Sequence, residues 1–152
     1  MKKTFHLTES GLGELRTELD LLIARRPEIA EAIKLARELG DLSENDEYRS
    51  SKDEQEKNEQ RINEINNILS NFEIIKESKA GDKVLLGSTV KLKNSVQTKT
   101  FQIVGTVEAD PINGKISDES PIGKEILGKK IGENVQIVTP KETLIYKIVE
   151  IK

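Results

Sequence analysis

The sequence predicts an α+β fold, in which an antiparallel coiled-coil hairpin of two helices precedes a small antiparallel sheet domain with one helix. Residues 1–75 contain a single proline and repeat apolar side chains at alternating steps of three and four. Two such seams mirror each other about residue 42, which predicts an antiparallel pair of helices. Residues 76–152 instead show short alternating runs separated by turn residues, which is typical of strands.

The first predicted helix carries a heptad seam with one polar interruption, Arg26, and one internal proline, Pro27. Because proline lacks a backbone N–H and crowds the carbonyl four residues earlier, we expect a kink or local unwinding near residues 23–27. The seam consists of Leu12, Leu15, Leu19, Leu22, Arg26, Ile29, Ile33 and Ala36.

The second predicted helix mirrors this seam, and the pairing places Arg26 opposite Asn58. Towards residue 42 the predicted layers pair isoleucines with serine or glutamine, so that part buries less apolar surface and is stabilised less. The second seam consists of Tyr48, Ser51, Gln55, Asn58, Ile62, Ile65, Leu69 and Phe72.

The predicted turn between the helices, residues 40–47, reads GDLSENDE and contains four acidic residues and no basic one. A purely structural interpretation is available: Gly40 ends the first helix, Ser43 caps the second, and Asp46 closes a capping box. This interpretation does not explain the charge of Asp41, which lies in the turn itself and not in the first turn of the second helix. A functional alternative is that Asp41 and Glu44 together bind a Mg²⁺ ion, whose remaining ligands come from a partner and a phosphodiester.

The second half predicts an antiparallel sheet of four or five strands with one short helix in SPIGKEILG packed on it. Four of the strands are expected in the runs STVKLKN, KTFQIVG, NVQIVTP and TLIYKIVEIK. In this helix Ser120 is the expected cap, Pro121 takes the first position and Gly128 follows the end. The run IIKESKAGDK is the predicted linker, which divides the chain into a hairpin of residues 1–76 and a domain of residues 82–152.

Composition excludes several classes of function. The chain has no cysteine and one histidine, His6, so no zinc site or disulfide framework is expected. No apolar run is long enough to span a membrane, no signal peptide is expected at the N-terminus, and no glycine-rich phosphate loop is present. The net charge is −3, and residues 1–75 carry 11 basic and 17 acidic side chains. An acidic first half is a poor candidate for wrapping duplex DNA.

The chain resembles the Gre transcript-cleavage factors, the GreA/GreB family of bacteria, in three stretches. ARELGDLSENDEYRSSKDEQ is similar to the family's tip motif, LTESGLGELRTELDLL with RRPEI to its first helix, and ISDESPIGKEILGKKIGE to its C-terminal signature. The resemblance covers essentially the whole chain. It implies an FKBP-like C-terminal domain that docks on polymerase, and a weak basic patch favours the GreA branch.

The resemblance also implies a function and a set of site residues. The hairpin would enter the secondary channel of bacterial RNA polymerase, where Asp41 and Glu44 help to hold a catalytic Mg²⁺ that cleaves the 3′ end of backtracked RNA. The Mg²⁺ would be bound only within that complex. The chain itself would be a cytoplasmic monomer with no membrane partner and no enzyme activity of its own. By the same resemblance, Tyr48, Arg49 and Lys52 contact the RNA and active site, and Ser120, Pro121 and Ile122 dock at the channel rim.

Asp46 departs from the family pattern, which usually has a small residue at this position. The extra charge keeps a second hypothesis open, a Gre-like relative that occupies the channel and inhibits polymerase. A third hypothesis, a stand-alone prolyl isomerase, rests on the FKBP-like fold alone, and fold alone does not carry function.

Overall fold

The computed structural model describes residues 2–41, 44–76 and 81–152, and its contacts divide the chain into two compact units. One unit is Leu12–Asn71, and the other combines Met1–Gly11 with Phe72–Lys152. The contacts group the N-terminal segment with residues 72–152 because a short strand there pairs with residues 72–74. The boundary expected from the sequence, between residues 76 and 82, stays a prediction.

The first unit is a hairpin of two long helices, α1 (Glu9–Glu38) and α2 (Asp46–Leu69). The pairing is antiparallel, since side chains join Glu18 to Arg61 near one end and Asn45 to Ala36 near the other. Most of the predicted seam is buried or half-buried, as amphipathic packing requires. Its fully buried members are Leu15, Ile29, Ile33, Ala36, Asn58, Ile62 and Ile65, to which the structure adds Ile68.

The predicted polar layer, Arg26 and Asn58, lines one cavity between the helices, but the two side chains bond different partners. The guanidinium of Arg26 donates to both carboxylate oxygens of Glu59 at 2.8 and 2.9 Å on the exposed side. Asn58 is buried and donates its side-chain amide to the carbonyl oxygen of Leu22 at 3.1 Å. The local unwinding expected near Pro27 is absent, since α1 is continuous there, and the alternative of a kink stays a prediction. Packing against a partner helix supplies most helical stability, so the loss of one backbone hydrogen bond is tolerated.

The second unit contains two sheets. Strand β1 (Phe5–Leu7) pairs in parallel with β2 (Phe72–Ile74), a pairing that the sequence did not predict. The larger sheet has five strands in the order β5-β4-β3-β7-β6. These strands are β3 (Thr89–Lys93), β4 (Thr98–Val104), β5 (Lys115–Ser117), β6 (Asn134–Val138) and β7 (Thr143–Ile151).

The larger sheet is mixed, although the sequence predicted an antiparallel one. Strand β5 runs parallel to β4, because the connection between them crosses back through a short 3-10 turn at Pro111–Asn113. The four strands expected from the sequence are confirmed as β3, β4, β6 and β7, and the antiparallel pairings β3–β4, β3–β7 and β6–β7 connect them.

One short helix, α3 (Pro121–Ile126), packs against β5 and β6, as expected from its sequence. The core beneath it is aliphatic with one tyrosine, Tyr146, whose hydroxyl accepts a hydrogen bond from Gln97 at 2.7 Å. Within residues 2–41, 44–76 and 81–152, none of the helices combines the length and the apolar composition needed to cross a bilayer.

Candidate functional site

The acidic turn begins where α1 ends. The backbone amides of Leu39 and Gly40 donate to the carbonyl oxygens of Ala36 and Arg37 at 3.2 and 3.4 Å, closing the last turn. Gly40 then adopts a φ of +118°, in the region that favours glycine because other residues clash there. The prediction that Gly40 ends the first helix is confirmed.

The cap of α2 differs from the prediction. The N-cap is Asn45, whose Oδ1 accepts a hydrogen bond from the backbone amide of Tyr48 at 3.0 Å. Ser43, the predicted cap, lies outside the described residues. Asp46 is the first helical residue and cannot close a capping box, so that prediction is wrong. Its carboxylate instead accepts a hydrogen bond from Arg49 at 2.9 Å. Asparagine is as good an N-cap as serine, so α2 can start at Asp46, two residues later than a cap at Ser43 requires.

Asn45 also contacts the other helix. Its side-chain amide donates to the carbonyl oxygen of Ala36 at 2.6 Å, so one side chain joins the last turn of α1 to the first turn of α2. A second link lies beside it, where the guanidinium of Arg37 stands 5.8 Å from the ring centroid of Tyr48. We name these four residues, Ala36, Arg37, Asn45 and Tyr48, the tip clip.

The two predicted metal ligands, Asp41 and Glu44, are exposed on the turn that the tip clip closes. Carboxylate oxygens are ligands that Mg²⁺ prefers, so the donor chemistry fits this ion. No group of three or more acidic, histidine or cysteine side chains converges in the described ranges. Two carboxylates supply a minority of the about six oxygen ligands of Mg²⁺, so the others would have to come from outside the described residues.

The residues predicted to contact RNA lie on α2 next to the turn. Tyr48 is half-buried in the tip clip, whereas Arg49 and Lys52 are exposed. Arg49 is paired with Asp46, and Lys52 donates to the side-chain oxygen of Gln55 at 3.1 Å. A groove of about 760 Å³ runs beside them and mixes both signs of charge. Its charged lining residues are Arg25, Asp46, Arg49, Asp53, Glu54 and Lys57.

The three predicted docking residues stand at the start of α3, and they differ in exposure. Ser120 uses its hydroxyl twice, accepting from the amide of Gly123 at 3.0 Å and donating to the carbonyl of Ser117 at 2.6 Å. Ile122 is half-buried and packs against the sheet core. Pro121 is exposed, so it is the member of the three that offers the most surface to a partner.

Sequence reasoning missed Asn45 as part of the site. The signal was present, because asparagine is a preferred N-cap and the acidic pair Asp46 and Glu47 follows it directly, as in many first turns. The amide bond to Ala36 had no such signal, since it depends on how closely the two helices approach.

The two parts of the chain match two family models. Residues 5–74 match the model described as "Transcription elongation factor, N-terminal", and residues 78–152 match "Transcription elongation factor, GreA/GreB, C-term". The chain belongs to the GreA/GreB family of transcription elongation factors.

Individual members of this family are similar over the full length. The chain is 44% identical over 155 aligned positions to "Transcription elongation factor GreA" of Lactococcus lactis subsp. cremoris, covering 99% of both chains. It is 49% identical over 154 positions to the protein of the same name from Thermosipho melanesiensis, covering 99% of this chain and 98% of that one. Among solved structures, GreA factor homolog 1 (Gfh1) of Thermus thermophilus is 29% identical, covers 99% of each chain and has a TM-score of 0.46.

Proposed function

We propose that this chain inserts the tip of its hairpin into the secondary channel of bacterial RNA polymerase and stimulates cleavage of backtracked RNA by the polymerase. Membership of the GreA/GreB family makes RNA polymerase the expected partner. The observation that carries the proposal is the exposure of Asp41 and Glu44 on a turn whose two ends the tip clip joins. A factor with this partner would act in the cytoplasm.

In this proposal the tip carboxylates act only in the complex. Asp41 and Glu44 would hold a Mg²⁺ ion together with ligands from polymerase and the RNA phosphate. When bound, such an ion stabilises negative charge on a phosphodiester and lowers the pKa of bound water. The chain's own residues present the two carboxylates, and Arg49 and Lys52 on the neighbouring helix offer positive charge to the RNA. The chain supplies a part of the site, and polymerase remains the enzyme.

The test uses stalled, backtracked elongation complexes with a labelled RNA 3′ end. Added wild-type protein should shorten the RNA in the presence of Mg²⁺, and the same protein without polymerase should leave the RNA intact. Asp41→Asn and Glu44→Gln should lose the stimulation but still compete with wild type for polymerase. Glu47→Gln, which removes an exposed charge from the first turn of α2, is the matched control and should retain the stimulation.

Two results would contradict the proposal. RNA cleavage by the protein without polymerase would mean that the chain carries a nuclease of its own. Wild-type stimulation by both Asp41→Asn and Glu44→Gln would mean that the acidic turn only connects the two helices and has no role in cleavage. Binding to polymerase with inhibition of cleavage would instead support the second hypothesis, a Gre-like inhibitor.

A further inference from the structure

We propose that Asn45 is a positioning residue, which sets the placement of Asp41 and Glu44 through its two hydrogen bonds to the neighbouring helix ends. This inference rests on the proposed function, because it assigns a residue to the same site. Asn45 touches neither RNA nor the ion in this account. It acts through the backbone that carries the two carboxylates.

The geometry of the two bonds carries the argument. The amide nitrogen of Asn45 donates to the Ala36 carbonyl at 2.6 Å, and its Oδ1 accepts from the Tyr48 amide at 3.0 Å. One planar side-chain group therefore fixes the end of α1 and the start of α2 at once. Asp41 and Glu44 lie between these two anchor points in the chain. Any change in the separation of the anchors is transmitted to the turn.

Apolar packing between the helices is thin at the described seam positions next to the turn. The seam positions nearest the turn are Ala36, Tyr48 and Ser51, and only Ala36 among them is fully buried. Small or polar contacts bury little apolar surface and hold two helices weakly. The cation–π contact between Arg37 and Tyr48 adds an attraction, but it fixes distance and direction less strictly than a hydrogen bond does. The Asn45 amide is therefore a directional constraint that joins the two helices at this end of the hairpin.

Placement matters for the proposed chemistry because two ligands from this chain must meet ligands from another molecule. A misplacement of about 1 Å can lower a rate on the order of 100-fold in a positioned reaction. A loosened turn should therefore lower the rate at saturating factor and raise the Mg²⁺ concentration required. It should leave affinity for polymerase nearly unchanged, because the rest of the hairpin and the sheet unit are unaltered.

Three variants separate positioning from capping. Asn45→Ser keeps a good neutral N-cap and removes the amide that reaches Ala36. Asn45→Ala removes both bonds. Asn45→Asp keeps the cap and also loses the donor, and it reports the effect of an added charge. Affinity is measured by competition for polymerase, and helix content by circular dichroism at 222 nm.

The expected result is that Asn45→Ser binds polymerase within about twofold of wild type and keeps its helix content. Its cleavage rate at saturating factor should fall by about tenfold, and its Mg²⁺ midpoint should rise several-fold. Wild-type rate and midpoint for Asn45→Ser would overturn the proposal and leave Asn45 as a cap alone. A fall in polymerase affinity as large as the fall in cleavage rate would also overturn the proposal.

A measurement without polymerase keeps this inference distinct from the proposed function. Amide hydrogen exchange in the isolated protein should speed up at Leu39 and Gly40, whose amides bond the end of α1, in Asn45→Ser. The Tyr48 amide should stay protected by the serine cap. Unchanged exchange at Leu39 and Gly40 would overturn the positioning role. Failure of wild-type protein to stimulate cleavage would overturn the proposed function, while the exchange rates would still decide whether Asn45 sets the turn.

Discussion

The two ends of the hairpin are held by different kinds of interaction. The end near the chain's N-terminus buries Leu15, Ile62, Ile65 and Ile68 and adds an ion pair between Glu18 and Arg61. The end at the acidic turn buries Ile33 and the small Ala36, and it is joined in addition by the tip clip. Burial is strong but not directional, whereas hydrogen bonds are directional and contribute a smaller net energy.

This difference fits the proposed function, in which one end of the hairpin stabilises the helix pair and the other presents carboxylates to a partner. An apolar end gives the stability that holds the two helices together. A turn that must carry four acidic side chains into a partner cannot bury them without a large desolvation cost. Its placement is therefore set by a few polar contacts, which position groups without covering them.

The largest expected effect comes from truncating isoleucines at the two ends. Ile65 is fully buried, and Ile65→Ala should lower the free energy of unfolding by about 3–5 kcal/mol. Ile33 lies towards the turn, where its predicted partner is Ser51, so Ile33→Ala should cost roughly 2–3 kcal/mol. Chemical denaturation followed at 222 nm measures both. Equal losses would contradict the claim that the ends differ.

Asn58 offers a test of the polar interruption between the ends. It is buried, and its Oδ1 has no hydrogen-bond partner among the described residues, an arrangement that costs stability. Asn58→Leu should therefore raise the free energy of unfolding by about 1–2 kcal/mol. A buried polar residue in a seam also fixes register, so the variant should show broader association states in analytical ultracentrifugation. Destabilisation by this change would show that the bond to Leu22 outweighs the unpaired oxygen.

The ion pair at the apolar end predicts a pH dependence. The hydrogen bond from Arg61 is the largest cause that holds the pKa of Glu18 below its usual value of 4.5. A carboxylate with a lowered pKa in the folded state contributes stability that is present above its unfolded pKa and is lost as the pH falls through the folded value. Stability should therefore decline below about pH 4.5 in part through this group.

Glu18→Gln is the control for that decline. The variant should be less stable than wild type at pH 7, and the difference between the two should shrink as the pH is lowered towards 3. A difference that stays constant between pH 7 and pH 3 would mean that the pair with Arg61 does not depend on the charge of Glu18. Both side chains are half-buried and remain open to solvent screening, so the effect should be modest.

The smallest expected effect concerns Asp46, which pairs with Arg49 on the surface of α2. Exposed ion pairs contribute less than about 1 kcal/mol, so Asp46→Ala should change stability by less than that. It should release Arg49 and strengthen crosslinking to RNA in the polymerase complex, while Arg49→Ala should weaken it. An altered Mg²⁺ midpoint in Asp46→Ala would instead place Asp46 among the metal ligands.

Sequence periodicity predicted the elements whose formation depends on burying an apolar face. It did not predict features that depend on the contacts of single side chains. The helices, the four main strands and the capped helix at Ser120 follow from patterns of apolar and turn residues, and the structure confirms them. The start of α2 was missed because serine and asparagine cap equally well, and only the approach of Ala36 favours Asn45. The parallel pairs β1–β2 and β4–β5 were not predicted, because they involve strands that are short or far apart in the chain. Such strands have too few residues to show an alternating pattern. The roles of Asp41 and Glu44 depend on a partner and stay predictions.

A Mg²⁺ titration of RNA cleavage decides whether Asp41 and Glu44 hold an ion within the polymerase complex. The concentration that gives half-maximal cleavage is measured at saturating factor for wild type, Asp41→Asn, Glu44→Gln and Glu47→Gln. We expect the first two variants to give no stimulation at the Mg²⁺ concentration that saturates wild type, and to need at least about tenfold more Mg²⁺ for any stimulated cleavage, because each removes a charged ligand. Glu47→Gln should keep the wild-type midpoint. An equal shift in all three variants would show that only the net charge of the turn matters, and that result would contradict the account.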